Sequence, residues 1–238
     1  MQYQRYSQAG NSFVIIDGDV PANITKTCGG DDGVIVVSPS DIADVAILIF
    51  NRDGSRASMC GNGICCAMAY CYDNGLCTEN AAIETDRGVM HLSYDEGVVT
   101  TTLPMPSKAE NVAITLDDGT EYSGIFINTG VPHYVITVDD IENIDVETIG
   151  KEIRYHEAFA PKGANVDFVL YKDGMIYIRT YETGVEAETL ACGTGSAAAA
   201  LSLGIASPVT VKTRSGETLT ITIGTTLTLS GSPKNITN

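Results

Sequence analysis

The tetrapeptide Cys-Gly-polar-Gly occurs twice in this chain, and each copy opens a run of small residues. Around Cys60 the sequence reads Ser58-Met59-Cys60-Gly61-Asn62-Gly63-Ile64-Cys65-Cys66-Ala67. Around Cys192 it reads Leu190-Ala191-Cys192-Gly193-Thr194-Gly195-Ser196-Ala197-Ala198-Ala199. The copies lie 132 residues apart, one in each half of a 238-residue chain. One glycine-rich turn ahead of a helix is common. Two at equivalent places in halves of similar length predict a duplicated, pseudo-twofold architecture with the cysteines facing across a cleft. The bland alternative is that both turns only start helices and leave the cysteines buried and inert.

The rest of the chain reads as short strands. Apolar or alternating runs stand at 13–17, 34–37, 45–50, 89–92 and 98–103, then at 124–127, 134–138, 166–171, 175–181, 209–213, 218–223 and 226–229. Asp118-Gly119, Asp173-Gly174 and Ser215-Gly216 supply hairpin signals between them. Helical periodicity follows Cys60 and Cys192 and recurs weakly over 146–155. The pattern predicts strand-rich α+β, not a Rossmann alternation. A composition dip over 107–120 places the boundary so that residues 1–115 carry the first motif and 116–238 the second.

Composition narrows the function classes. Lys+Arg is 14 against Asp+Glu 30, a formal charge of −16. Such a surface repels phosphate backbones and anionic lipid, so neither nucleic acid nor a membrane is expected as partner. The first residues lack the apolar core of a signal peptide, and the expectation is a cytoplasmic protein. Seven cysteines, an odd number without a secretion signal, argue against a disulfide framework. No cysteine pair has C-x-x-C spacing and His91, His133 and His156 are scattered, so no metal site is expected. Cys65, Cys66, Cys71 and Cys77 lie on or just after one apolar helix pattern and read as small core residues.

Cys60 and Cys192 read differently. A helix start leaves its first N–H groups without partners in the helix, and with the dipole these make an anion site. Two such starts could clamp one carboxylate. The same setting lowers a cysteine's pKa, bringing a thiolate within reach near neutral pH. One thiolate could remove the proton α to the carboxylate while the opposite thiol returns a proton to the other face, inverting the stereocentre. Thiol–disulfide exchange is disfavoured by the missing C-x-x-C pair. A phosphate-binding module leaves two cysteines unexplained.

With these motifs the chain resembles the diaminopimelate epimerase family, amino-acid racemases and epimerases that work without pyridoxal phosphate. The likeness runs along the whole chain. Asn11-Ser12-Phe13 resembles the family's N-D-F, and Asn51-Arg52-Asp53-Gly54-Ser55 leads into Met59-Cys60-Gly61-Asn62-Gly63 as its N-x-D-G-S leads to the first catalytic cysteine. Asn128-Thr129-Gly130-Val131-Pro132-His133 resembles N-T-G-x-P-H. Residues 161–168, Pro-Lys-Gly-Ala-Asn-Val-Asp-Phe, resemble P-x-G-x-N-V-x-F, and Glu188-Thr189-Leu190-Ala191-Cys192-Gly193-Thr194-Gly195 resembles the segment of the second catalytic cysteine.

The resemblance implies two pseudo-symmetric domains, each a curved sheet around a central helix, with the last strand returning to the first domain. It implies Cys60 and Cys192 as the acid/base pair. It implies that Gly61, Asn62, Gly193 and Thr194 bind the reacting carboxylate, and that Asn11, Asn51, Asn128, Asn165, Glu182 and Thr183 line the rest of the substrate site. No cofactor is implied. The partner is a small amino-acid substrate within lysine biosynthesis, and a homodimer is compatible. Each asparagine taken alone could equally be a turn residue. His133, beside a proline, reads as structural rather than catalytic.

Two departures stand out. Ser12 replaces the aspartate of N-D-F, and Glu182-Thr183-Gly184 replaces E-R-G. The absent arginine is the family's clamp on the substrate's far carboxylate. Diaminopimelate turnover is therefore expected to be weak unless another cation takes over, with Arg52 the nearest in sequence. The competing substrate is a mono-carboxylate amino acid, and the competing class a non-catalytic amino-acid or anion binder. The proline racemase group shares the two-cysteine logic but carries histidine where Asn62 stands.

Overall fold

The structure, a computed structural model, describes residues 3–237. The chain divides into two compact units. Unit 1 is Met1–Thr102 with Ser230–Asn238, and unit 2 is Leu103–Leu229.

Unit 1 contains β1 (Tyr3–Gln8), β2 (Asn11–Asp17), α1 (Ile24–Cys28), β3 (Gly33–Ser38), β4 (Val45–Asn51), β5 (Arg56–Ala57), α2 (Gly61–Asp73), β6 (Asn80–Thr85), β7 (Gly88–Asp95) and β8 (Val98–Leu103). β1 and β2 form an antiparallel hairpin with Tyr6 opposite Phe13. β2 and β3 are parallel, β3 and β4 antiparallel, β4 and β6 parallel, β6 and β7 antiparallel. α2 packs on β1, β2, β3 and β7. Its residues from Asn62 to Cys71 are all buried. An all-round buried helix needs an all-round apolar sequence, which is why this one shows little amphipathic periodicity.

Unit 2 contains β9 (Glu110–Thr115), β10 (Glu121–Asn128), β11 (Pro132–Thr137), α3 (Val146–Arg154), β12 (Asn165–Lys172), β13 (Met175–Glu182), β14 (Ala187–Thr189), α4 (Gly193–Leu203), β15 (Val209–Lys212) and β16 (Thr218–Ile223). β10 and β11 are antiparallel, β11 and β12 parallel, β12 and β13 antiparallel, β13 and β15 parallel, β15 and β16 antiparallel. This is the pairing series of unit 1 repeated, with α3 at the place of α1 and α4 at the place of α2. α4 packs on β10, β11, β12, β13, β15 and β16. Its buried run Gly195–Ala200 is almost all glycine and alanine, so the surrounding backbones approach closely. β17 (Leu227–Gly231) runs through the second junction, and β18 (Lys234–Asn235) pairs antiparallel with β1.

The expected division at 115/116 differs from the observed units. The dip at 107–120 hides β9, which pairs with β10 along its whole length through the Asp118-Gly119 turn. Polar β1, Tyr-Gln-Arg-Tyr-Ser-Gln, lacks the apolar run of the other strands. Its main apolar anchor is Tyr6, 1% exposed, and backbone pairing supplies the rest. The Asp173-Gly174 hairpin forms with φ of 52° and 78°, the left-handed pair a two-residue turn requires. Among the described residues no helix is long and apolar enough to cross a membrane.

Candidate active site

Cys60 is the N-cap of α2, with extended backbone (φ −144°, ψ 117°), and its Sγ accepts from the Gly63 N–H at 3.3 Å. Cys192 is the N-cap of α4 with the same conformation (φ −125°, ψ 112°). The duplicated tetrapeptide thus builds the same object twice: a sulfur beside the first turn of a buried helix. The second glycine of each copy answers to close packing. A Cβ at Gly63 would lie 3.3 Å from Cys60 Cβ, and one at Gly195 would lie 2.6 Å from Asp167 Oδ1.

The electrostatics of Cys192 reverse the expectation from its helix start. Burial pushes its thiol well above the ordinary range, and the carboxylates of Glu182 and Asp167 push the same way. Contacts from Thr194 and the Gly195 backbone oppose them and are outweighed. Desolvation of a thiolate exceeds what a helix start returns when anions stand nearby. Burial also raises Glu182. Cys65 and Cys71 lie in the unit 1 core, their thiols pushed up to about 12 by burial. Cys66 lies in the same core and Cys77 packs against it, as their helix pattern suggested.

In unit 1, Asn62 Nδ2 donates to Asn11 Oδ1 at 2.7 Å, tying the first turn of α2 to β2. Asn51 Nδ2 donates to Ser55 Oγ at 2.9 Å. Gly61 is exposed at the helix start. Arg52 does not serve as a replacement cation: its guanidinium is tied to Asp32 at 2.9 Å and to the carbonyls of Gly30 and Asp31. Ser12 donates its backbone N–H to Asp32 Oδ2 at 3.0 Å.

In unit 2, Asn165 is buried. Its Oδ1 accepts from Thr183 N at 2.7 Å and its Nδ2 donates to Pro132 O at 3.0 Å, so most of its amide is engaged within the protein. Asn128 is a turn residue, its Oδ1 accepting from Gly130 N at 2.9 Å. Thr183 is exposed, and Glu182 lies beside Cys192. Gly193 and Thr194 form the first turn of α4, where Thr194 O accepts from Thr129 Oγ1 at 2.9 Å.

One constellation was missed from the sequence. His133 and Asp167 are 0% exposed and joined Nδ1 to Oδ2 at 2.7 Å. Thr180 Oγ1 donates to the other carboxylate oxygen at 2.7 Å. His133 Nε2 lies 3.0 Å from Thr194 Oγ1, which lies 3.4 Å from Cys192 Sγ. A signal was present. Asp167 is a lone charge inside the apolar run of a parallel strand, a place where an unpaired carboxylate is costly.

The family model for diaminopimelate epimerase matches residues 21–104 and 125–230. Diaminopimelate epimerase of Aquifex aeolicus is 41% identical over 93% of this chain and 89% of its own length. That of Chlamydia trachomatis serovar D is 44% identical over 84% of this chain and 75% of its own. In fold, the chain is similar to a phenazine biosynthesis protein of the PhzF family from Bacillus anthracis (TM-score 0.74, 15% identity, 99% and 98% coverage). It is also similar to a probable proline racemase from Agrobacterium radiobacter K84 (TM-score 0.72, 15% identity, 99% and 91% coverage).

Proposed function

The chain belongs to the diaminopimelate epimerase family, and from that membership we propose that it inverts an amino-acid α-carbon with two cysteines, Cys60 and Cys192, as acid and base. The observation that carries the reading is the duplicated N-cap geometry: each unit holds one sulfur at the first turn of one buried helix. One thiolate takes the α-proton and the other thiol delivers a proton to the opposite face. The electron pair left on carbon spreads into the substrate carboxylate. The N–H groups of Gly61, Asn62, Gly193 and Thr194, at two helix N-termini, receive that charge. Cys192, its thiol held protonated by burial and by Glu182, enters the cycle as the acid.

Diaminopimelate is the first substrate to test, because the family and its relatives point to it. The second reading, a mono-carboxylate amino acid, rests on Thr183, which offers neither charge nor the bidentate fork of an arginine. Asn51 and Asn165 remain to meet a far carboxylate, and both amides already make internal hydrogen bonds. The partner is a small molecule, and a cytoplasmic site of action belongs to this reading. The experiment is deuterium incorporation at the α-carbon from heavy water, with diaminopimelate and a panel of mono-carboxylate amino acids as substrates. Exchange into at least one supports the racemase. Binding without exchange would make the chain an amino-acid binder instead.

A further inference from the structure

We propose that the groove bounded by α3, the β9–β10 turn and the β13–β14 turn is a binding site for an aliphatic polyamine, a chain of ammonium groups separated by methylenes. It goes beyond the racemase reading and does not rest on it, because it concerns the face of β13 turned away from Cys192.

Successive side chains of a strand point to opposite faces. Glu182 lies beside Cys192, on the α4 side of β13. Tyr181, the residue before it, packs on the α3 side. A Cβ at Gly150 of α3 would lie 2.6 Å from Tyr181 Cβ and 2.9 Å from its Cγ, so only glycine lets the tyrosine sit against the helix. The groove that Tyr181 lines has a volume of about 1030 Å³, room for a small molecule and not just an ion.

The first observation is charge. Asp117 from the β9–β10 turn, Glu147 and Glu152 from α3, Glu157 just past α3 and Glu186 from the β13–β14 turn all line the groove. Lys151 is the one fixed positive charge among the lining residues. His156 adds none. Its Nδ1 accepts from Ala158 N at 3.1 Å and its Nε2 donates to Thr115 O at 3.2 Å, so the ring is neutral. Arg154 offsets only Glu186, at 3.3 Å, and also donates to Lys162 O.

The second observation is a polar group aimed into the groove. Tyr181 is 1% exposed and lines the groove, and among the described residues its hydroxyl has no hydrogen-bond partner. Burial keeps that hydroxyl protonated, and Glu186, Tyr155 and Glu147, all groove residues, push the same way. A buried hydroxyl without a partner is costly, and an ammonium in the groove supplies the missing bond.

The ligand class follows from how the anions are spread. Among the described residues no group of three or more His, Cys, Asp or Glu could hold a metal ion, so these carboxylates do not converge on one point. A ligand that meets several of them must carry separated positive charges. Leu116 and the rings of Tyr155 and Tyr181 give the groove apolar surface for methylene stems. Glu147 accepts from Glu188 N at 2.9 Å and Glu152 from Asp117 N at 2.9 Å. These bonds hold both carboxylates in place and leave lone pairs for a further donor.

Spermidine is the probe. Its binding to the full chain is measured by isothermal titration calorimetry at about 150 mM sodium chloride, where exposed charges are screened beyond about 8 Å. Wild type is compared with Tyr181→Phe and with the double variant Glu147→Gln, Glu152→Gln. The charge-matched control is Asp95→Asn, Glu96→Gln, at exposed positions of unit 1. The groove predicts saturable one-site binding. Its Kd should rise about tenfold or more in the groove double variant and about threefold or more in Tyr181→Phe, and stay unchanged in the control. Magnesium chloride at the same concentration as spermidine should not displace it. Equal losses in the two double variants, displacement by magnesium, or no saturable binding would show diffuse counterion attraction to an acidic chain and overturn the site. Unchanged affinity in folded Tyr181→Phe also overturns it. If Tyr181→Phe does not fold, the two double variants decide. Binding is read without turnover, so failure of the groove and failure of the racemase reading are distinguishable.

Discussion

The backbone N–H of Thr183 donates to Oδ1 of Asn165 at 2.7 Å, so position 183 anchors Asn165 through its main chain while its side chain is exposed. On the proposed substrate site, a substitution there would change what the substrate meets without disturbing the anchor. Thr183→Arg should therefore fold normally and gain a charged fork. Losing one partner of a desolvated charge pair costs roughly 2–5 kcal/mol. The variant is expected to lower KM for diaminopimelate by about thirtyfold or more, with less change for mono-carboxylates. Steady-state kinetics on both substrate classes checks it. Equal KM values in wild type and variant would show that the far carboxylate is held elsewhere.

Cys60→Ala and Cys192→Ala should each lower racemisation by about 10³-fold or more, since positioned acid–base groups commonly contribute about 10²–10⁴ each and inversion needs both. The fold should survive, because each cysteine is an N-cap outside the helical turns and alanine keeps its Cβ. Circular dichroism for the fold and polarimetry for turnover make the comparison. Full activity in either variant would remove the two-thiol assignment.

Gly61 and Gly195 should respond differently to alanine. Nothing lies within 4 Å of a Cβ built at Gly61, whereas one at Gly195 meets Asp167 Oδ1 at 2.6 Å and His133 Cε1 at 3.3 Å. Overpacking of a close-packed site costs about 1–3 kcal/mol. Gly195→Ala should lower the urea midpoint accordingly and impair turnover. Gly61→Ala should leave stability within about 0.5 kcal/mol of wild type. Equilibrium urea unfolding of both variants tests the contrast.

Stability should fall as pH rises from about 8.5 toward about 12. The thiols of Cys65, Cys71 and Cys192 are raised in the folded state, while a thiol in the unfolded chain ionises near 8.5. Above that pH the unfolded chain releases protons that the folded chain keeps, so unfolding is favoured as pH rises. Below it the contribution is fully present. Each such thiol changes the unfolding free energy by up to about 1.4 kcal/mol per pH unit. Urea midpoints at pH 7.5 and 9.5 should differ, and Cys192→Ala should reduce the difference. A flat profile would mean these thiols ionise freely when folded.

What the sequence determined by itself is what local chemistry decides. The glycine pairs that begin α2 and α4, the left-handed turn at Asp173-Gly174 and the repeat that implies two units are each written within a few adjacent residues. Polar β1 and β9 were not legible, because their strand character comes from hairpin pairing with β2 and β10 and not from an apolar pattern of their own. The site divides the same way. Both helix-start cysteines were visible, but the state of Cys192 was not. A helix N-terminus alone favours its thiolate, whereas the folded chain buries the sulfur and brings up Glu182 and Asp167. His133, 61 residues from Thr194 and 34 from Asp167, joins them only because β11 and β12 pair in parallel with α4 packed against both. Tertiary structure decided that chemistry, because desolvation and charge proximity depend on distance in space and not on spacing along the chain.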